Sequence, residues 1–459
     1  MIKTEQVNNI QKNSNRKNQL MKKIFIIIIL LNNISCLLYS QSVIYPAKEN
    51  KSDYFITNGT IHVGNGQIIS NGIIEVSNNK IVKVGSSLTV PSGAKVIDAK
   101  GGQIYPGMIS AISNLGLKEV GNGVRGSNDY AEIGDINPSI RSIVAYNTDS
   151  KVINVLRANG ILLANVIPQN ESGSTDLITG SSSVVQLDAW NWEDAGYRMD
   201  GNIHFNMPSL VARTGRRQFF NAEPQADPVK LAMDRIDKVR SFFQEAQSYL
   251  SEGSHSETNL KFEAVKNLFN KKQKLFIHCN IVKEMLLAMD LAHQFKFNVV
   301  IVGGADSWMI ADLLKQNNIP VILGESHALP SSFDDDVDQP YKTPYLLQKA
   351  GVLFAITDLN EETRGRNLMF NAGTAAAYGL TKEEALTAIT LNAAKILGID
   401  DLTGTIEVGK DANIVVSQGD ILDMKSSILT HAFIQGREIN LNNKQTELYD
   451  RYKYKYGLN

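Results

Sequence analysis

Between Lys274 and Leu397, short wholly apolar runs alternate with segments of helical period, and this alternation constrains the fold more than any other feature. The runs are LFIHC, NVVIVGG, IPVILG and GVLFAIT; the helical segments include VKEMLLAMDLAHQF, SWMIADLLKQN, TPYLLQKA and EEALTAIT. Strands rich in β-branched residues, apolar on both faces and joined by helices, pair in parallel. Right-handed crossovers then make successive units curl the same way. An open doubly wound sheet and a (β/α)8 TIM-like barrel both satisfy this. Length favours the barrel, because the stretch from Gln103 to Gly379 offers the ~250 residues that eight units need.

The two ends of the chain have a different texture. From Tyr54 to Ile104, alternating apolar and polar residues are split by Asn-Gly and Gly signals, as in FITNGTIHVGNG and GIIEVSNNKIVKVG, which is hairpin punctuation. The pattern returns as GTIEVGKDANIVV and HAFIQGREI. The expected organisation is an α/β chain: a leader over 1–40, a small β-sandwich built from 41–105 and 401–440, a barrel over 106–400, and a tail over 441–459. Residues 227–250 read as one long helix. The Asn-, Ser- and Gly-rich stretch from Gly121 to Ser209 shows only two strand-like runs, 160–166 and 183–187.

Met21-Lys22-Lys23 followed by the apolar run Ile24–Leu31 reads as a secretory signal over residues 21–40, broken by Asn32 and Asn33 and too short to span a bilayer. This predicts a periplasmic or secreted protein, with lipidation at Cys36 as the alternative. Lys+Arg 46 against Asp+Glu 47 gives a net charge of −1 with no block of like charges, so nothing marks a nucleic acid or an anionic membrane as partner. A small-molecule ligand is the expected partner. Once the leader is removed, Cys279 is the only cysteine, so no intramolecular disulfide is expected.

In a parallel barrel the chemistry sits at the C-terminal strand ends. That rule picks out His278, Gly303-Gly304, Glu325, His327 and Asp358. Histidine and aspartate there suit a metal site or acid–base catalysis, and equally a hydrogen-bonded structural layer. His62, His204, His255, His293 and His431 have no strand-end context and are given no role. Asp334, Asp336 and Asp338 alternate as in a calcium loop, but Gln339 and Tyr345 stand where glycine and glutamate are required. Trp190 and Trp192 in DAWNWED read as packing aromatics.

The segments NGTIHVGNG, IVKVG and VIDAKGGQIYPGMISA, followed later by GLTKEEALTAITLNAAKILGI and GTIEVGKDANIVV, resemble the amidohydrolase superfamily, closest to its imidazolonepropionase-like and dihydroorotase-like members. The resemblance implies a metal-bearing barrel flanked by a β-sandwich, and hydrolysis of non-peptide C–N bonds in amides or cyclic amides. It also implies His278 and Asp358 as catalytic residues, with Asp358 the general base. Asn114, Arg366 and Asn367 are candidates for substrate contact. The family's first-strand His-x-His is replaced here by Ile112 and Asn114, and the sixth-strand histidine by Gly303-Gly304. A substitute site from His278, His327 and Asp358, with Glu325 nearby, would suit one divalent metal, zinc first; the alternative is no metal at all. Loss of the His-x-His leaves a second reading open, a non-catalytic relative that binds a small ligand or a partner such as an active paralogue or a further copy.

Overall fold

The computed structural model describes residues 44–50, 52–119, 131–169, 176–211, 227–330, 334–359 and 364–458. The leader, with its signal segment and Cys36, lies outside them. No helix among the described residues is long and apolar enough to cross a membrane.

The described residues build two eight-stranded sheets. From the N-terminal side come β1 (Tyr54–His62), β2 (Ile68–Ser77), β3 (Lys80–Gly85), β4 (Lys95–Asp98) and β5 (Gln103–Pro106). The central strands are β6 (Met108–Ser113), β7 (Ile161–Val166), β8 (Ile178–Gln186), β9 (Gly196–Asn206), β10 (Lys274–Cys279), β11 (Val299–Gly303), β12 (Val321–Leu323) and β13 (Phe354–Ile356). The chain ends with β14 (Ile414–Ser417), β15 (Leu429–Ile434) and β16 (Arg437–Glu438).

Both termini enter one sheet, ordered β16-β15-β14-β5-β1-β2-β3 with β4 beside β1. The seam is β14 against β5, antiparallel, with Ile414 opposite Pro106 and Val416 opposite Ile104. Hydrogen bonding thus joins both ends of the chain in one continuous sheet. Tyr54, Ile61, Ile74, Ile104, Ile414 and Phe433 form its core.

The central strands follow chain order, β6 to β13, in a nearly closed barrel. Between its first and last strands, the Thr357 hydroxyl donates to the Ile112 carbonyl at 3.3 Å and faces the Ile112 N–H at 3.4 Å. The expected run of eight parallel units needs correction at the third strand, because β8 is antiparallel to both β7 and β9. A parallel crossover needs a dozen or more residues, usually a helix. Only nine residues separate Gln186 from Gly196, with a four-residue helix, Trp192–Ala195, among them. That turn is DAWNWED: Asn191 caps the short helix by accepting from the Asp194 N–H at 2.8 Å, and Asp194 accepts from the Trp190 N–H at 2.9 Å. Trp190 is exposed, while Trp192 packs against the core.

Asp188, in the same turn, is fully buried and ties three segments together. Its carboxylate accepts from the Arg157 guanidinium and, at 2.8 Å, from the Ala47 N–H. Its carbonyl accepts from Arg437 of β16 at 3.3 Å, and Gln186 accepts from its N–H at 2.8 Å. Burial pulls the Arg157 guanidinium below its ordinary value, with Asp188 opposing that pull.

The lower end of the barrel is plugged by the helix Leu391–Leu397. Its Ala393, Ile396 and Leu397 pack with the inward-facing Ile109, Leu163, Phe276 and Ile322. The helix stops at Gly398 in the left-handed conformation (φ 71). Lys274 donates to the carbonyls of Lys395 (3.2 Å) and Ile396 (2.6 Å), and Arg198 donates to that of Gly398. Cations at a helix C-terminus are each worth about 0.3–1 kcal/mol.

Candidate active site at the barrel mouth

Strand alternation decides which side chains reach the barrel interior. On β10, Phe276 belongs to the inner cluster while Leu275 and Ile277 belong to the outer one, so His278 also faces inward. On β9, Ile203 and Phe205 are outward, which turns Asn202, His204 and Asn206 inward. The parallel register sets His204 beside Phe276 and His278 beside Asn206. Two histidines one step apart on neighbouring strands therefore meet: His204 Nδ1 lies 2.9 Å from His278 Nε2, with the rings inclined at 48°.

His204 is completely buried, whereas His278 is half-buried. Burial drives His278 down to about 4. It holds His204 well below the ordinary imidazole value, with repulsion from His278 adding to the effect. Both rings are neutral near pH 7. The sequence reading missed His204 because no strand was assigned to 196–206; its signal is the alternation Asn202-Ile203-His204-Phe205-Asn206.

Asp358 follows β13, is 3% exposed, and accepts from the Asn371 amide at 3.3 Å. Asn371 also accepts from the His327 N–H at 3.1 Å. Even so, the His327 imidazole bonds Thr374 at 2.7 Å and is exposed. The set His278, His327 and Asp358 is therefore not gathered. The turn Gly324-Glu325-Ser326 carries His327 onto the helix Leu368–Ala377, and the Nε2 of His278 is already engaged by His204. Glu325 is held by Arg364 at 2.6 Å. Among the described residues, no three His, Cys, Asp or Glu side chains are grouped so as to hold a metal ion.

The family's ligand positions fare no better. Ile112 is 1% exposed and part of the inner apolar cluster. Asn114 is 7% exposed, and its carbonyl accepts from Leu117 N–H at 3.0 Å. At the sixth strand's end, Gly303 has φ +96, and a Cβ there would stand 2.4 Å from Asn280 Oδ1. No histidine fits that backbone. The residues present do not fit the metal that the resemblance implies.

A cleft of about 270 Å³ opens beyond the ends of β10, β11 and β12, lined by Asn280, Gly303, Glu325, Ser326, Gln339 and Leu359 among others. That is near the lower end of the roughly 300–1,000 Å³ usual for small-molecule sites. His278, His327, Asp358, Asn114, Arg366 and Asn367 are not among its lining residues. Arg366 is exposed, and Asn367 begins the helix Leu368–Ala377 and accepts from Asn371 at 3.3 Å.

The barrel carries inward histidines and a buried aspartate at its strand ends and is flanked by a sheet from both termini. Comparison with known proteins places this architecture. The amidohydrolase family profile matches residues 304–439. The structure matches the crystal structure of an amidohydrolase from Thermotoga maritima with a TM-score of 0.72 and 26% identity, over 84% of this chain and 99% of that one. Amidohydrolase tasK of Hapsidospora irregularis is 22% identical over 72% of this chain, and an imidazolonepropionase of Thermoplasma volcanium is 40% identical over 17%. These alignments span 36% and 20% of the two relatives' own lengths. The chain belongs to the amidohydrolase superfamily. The profile match includes Asp358 but begins after β6 to β10, the stretch that holds Ile112, Asn114 and both inward histidines.

Proposed function

We propose that this protein hydrolyses a non-peptide C–N bond, an amide or cyclic amide small enough for the cleft at the barrel mouth. The observation that carries the reading is the pairing of half-buried His278 with buried His204 at the end of β10, beside Asn280 of the cleft wall. Burying two imidazoles is costly, and such sites are candidates for function. In this reading Asp358 is the general base. It takes a proton from water as the oxygen bonds to the carbonyl carbon, then returns it to the nitrogen as the C–N bond breaks. His278 contacts the carbonyl. Family members usually carry a divalent metal for this chemistry; no step here runs through one.

The test is a panel of N-acyl amino acids and cyclic amides assayed with purified protein and with Asp358→Asn. Hydrolysis of one class, reduced 10²- to 10⁴-fold by the substitution, supports the reading. Ile112 and Asn114 in place of the family histidines favour a second reading, a ligand-binding relative without catalysis. That reading predicts no turnover across the panel together with saturable binding of one compound by calorimetry. Export is proposed as well: N-terminal sequencing of protein recovered from the periplasm or medium should start near Gln41.

A further inference from the structure

The His204–His278 contact joins two neutral rings at 2.9 Å, so one nitrogen donates and the other accepts. Placing the shared hydrogen decides what His278 can do. His204 Nε2 is buried and has no hydrogen-bond partner among the described residues. If Nδ1 of His204 accepted, the ring's own hydrogen would sit on Nε2 as a buried N–H with no acceptor, one of the rarer arrangements in folded proteins. If Nδ1 donates, Nε2 is only a lone pair. His204 itself is held firmly, fully buried with its ring edge-on to Phe276 at 5.2 Å.

We propose that His204 donates from Nδ1 to Nε2 of His278, fixing His278 as its Nδ1–H tautomer and presenting that N–H at the barrel mouth as a hydrogen-bond donor to the substrate's carbonyl oxygen. The Nδ1 of His278 is not among the sealed, unpartnered atoms, and the residue stays partly exposed. This deepens the hydrolase reading and rests on it. His278 becomes the electrophilic element, and His204 a positioning residue. As water adds, the carbonyl π pair moves onto oxygen, where the His278 N–H stabilises it. His278 lends a hydrogen bond and transfers no proton. A preorganised donor at a developing oxyanion is worth 10²- to 10³-fold in rate. The assignment also explains the poor fit to metal, because the lone pair that would ligate through Nε2 of His278 is occupied.

The direct test is ¹⁵N NMR of the imidazole rings in the full chain, with the His278 signals assigned by their loss in His278→Asn. The expected result is His278 protonated on Nδ1 in the unmodified protein. A hydrogen on Nε2 of His278 would overturn the proposal. This reading needs no substrate, so it fails separately from the hydrolase reading. With an active substrate, His204→Phe should lower kcat by tenfold or more at little change in KM, and His204→Gln, whose amide can donate to the same nitrogen, should recover much of the loss. Equal kcat in all three proteins would also contradict it.

Discussion

Two buried polar clusters in this protein look alike in composition and differ in how completely they are satisfied. Around Asp188, carboxylate, carbonyl and N–H are all engaged by Arg157, Ala47, Arg437 and Gln186, and Arg157 Nε is left without a partner among the described residues. Around His204, one ring nitrogen bonds His278, while the other, together with Asn165 Oδ1 and Ser182 Oγ on the two preceding strands, has no partner among the described residues. A densely connected network rigidifies a fold, whereas one with more of its buried atoms unpaired is costly and calls for an explanation. The first cluster is a lock between barrel, terminal sheet and incoming chain, and the second is the proposed site.

The contrast predicts opposite responses to substitution. The largest effect on stability is expected at the lock. Asp188→Ala leaves the Arg157 and Arg437 cations without their carboxylate, and breaking a buried pair from one side costs about 3–5 kcal/mol. Urea denaturation should show this, and a loss under about 1 kcal/mol would break the comparison. His204→Phe should cost less than Asp188→Ala in the same assay, about 1–3 kcal/mol, because it removes one partner and leaves Nε2 of His278 unpaired, while hydrolysis falls. A destabilisation as large as that of Asp188→Ala would make His204 a second lock.

A smaller effect sharpens the picture at the junction of sheet and barrel. His62 bonds Glu383 at 2.6 Å and Gln103 at 2.9 Å. Burial pushes its imidazole down, but these bonds outweigh burial and raise it above 6.5. A raised folded-state value means the contribution is fully present below pH 6.5 and is lost as pH climbs through the raised value. The stability difference between the unmodified protein and His62→Gln should therefore be greatest near pH 6, under about 1 kcal/mol, and shrink toward pH 8. A difference that grows with pH would contradict the sign.

Much of this was legible in sequence where local pattern and tertiary role agree. The apolar runs of β10 to β13 are buried on both faces, so their composition alone announces parallel strands. The long helix expected over 227–250 is observed at Pro228–Ser251. The Asn-Gly punctuation of β1 to β3 marks hairpins whichever layer they join. The reversed β8 was not legible, because its sequence, ITGSSSVVQ, is polar yet wholly buried. Thr179 donates its hydroxyl to the Pro168 carbonyl and Ser181 to Asp200, distant partners that no local period reveals. His204 was hidden for the same reason: its meaning comes from a neighbour 74 residues away. His327 misled in the opposite direction, since proximity to a strand end does not say which way the following turn carries the side chain.

The measurement that tests the central claim most directly is the hydrolysis rate of an accepted amide before and after exhaustive chelation, with metal content determined in parallel. The account predicts an unchanged rate at less than about a tenth of a metal ion per chain, because His278, backed by His204, supplies the polarising group. A rate that falls with the metal and returns on adding zinc would contradict it.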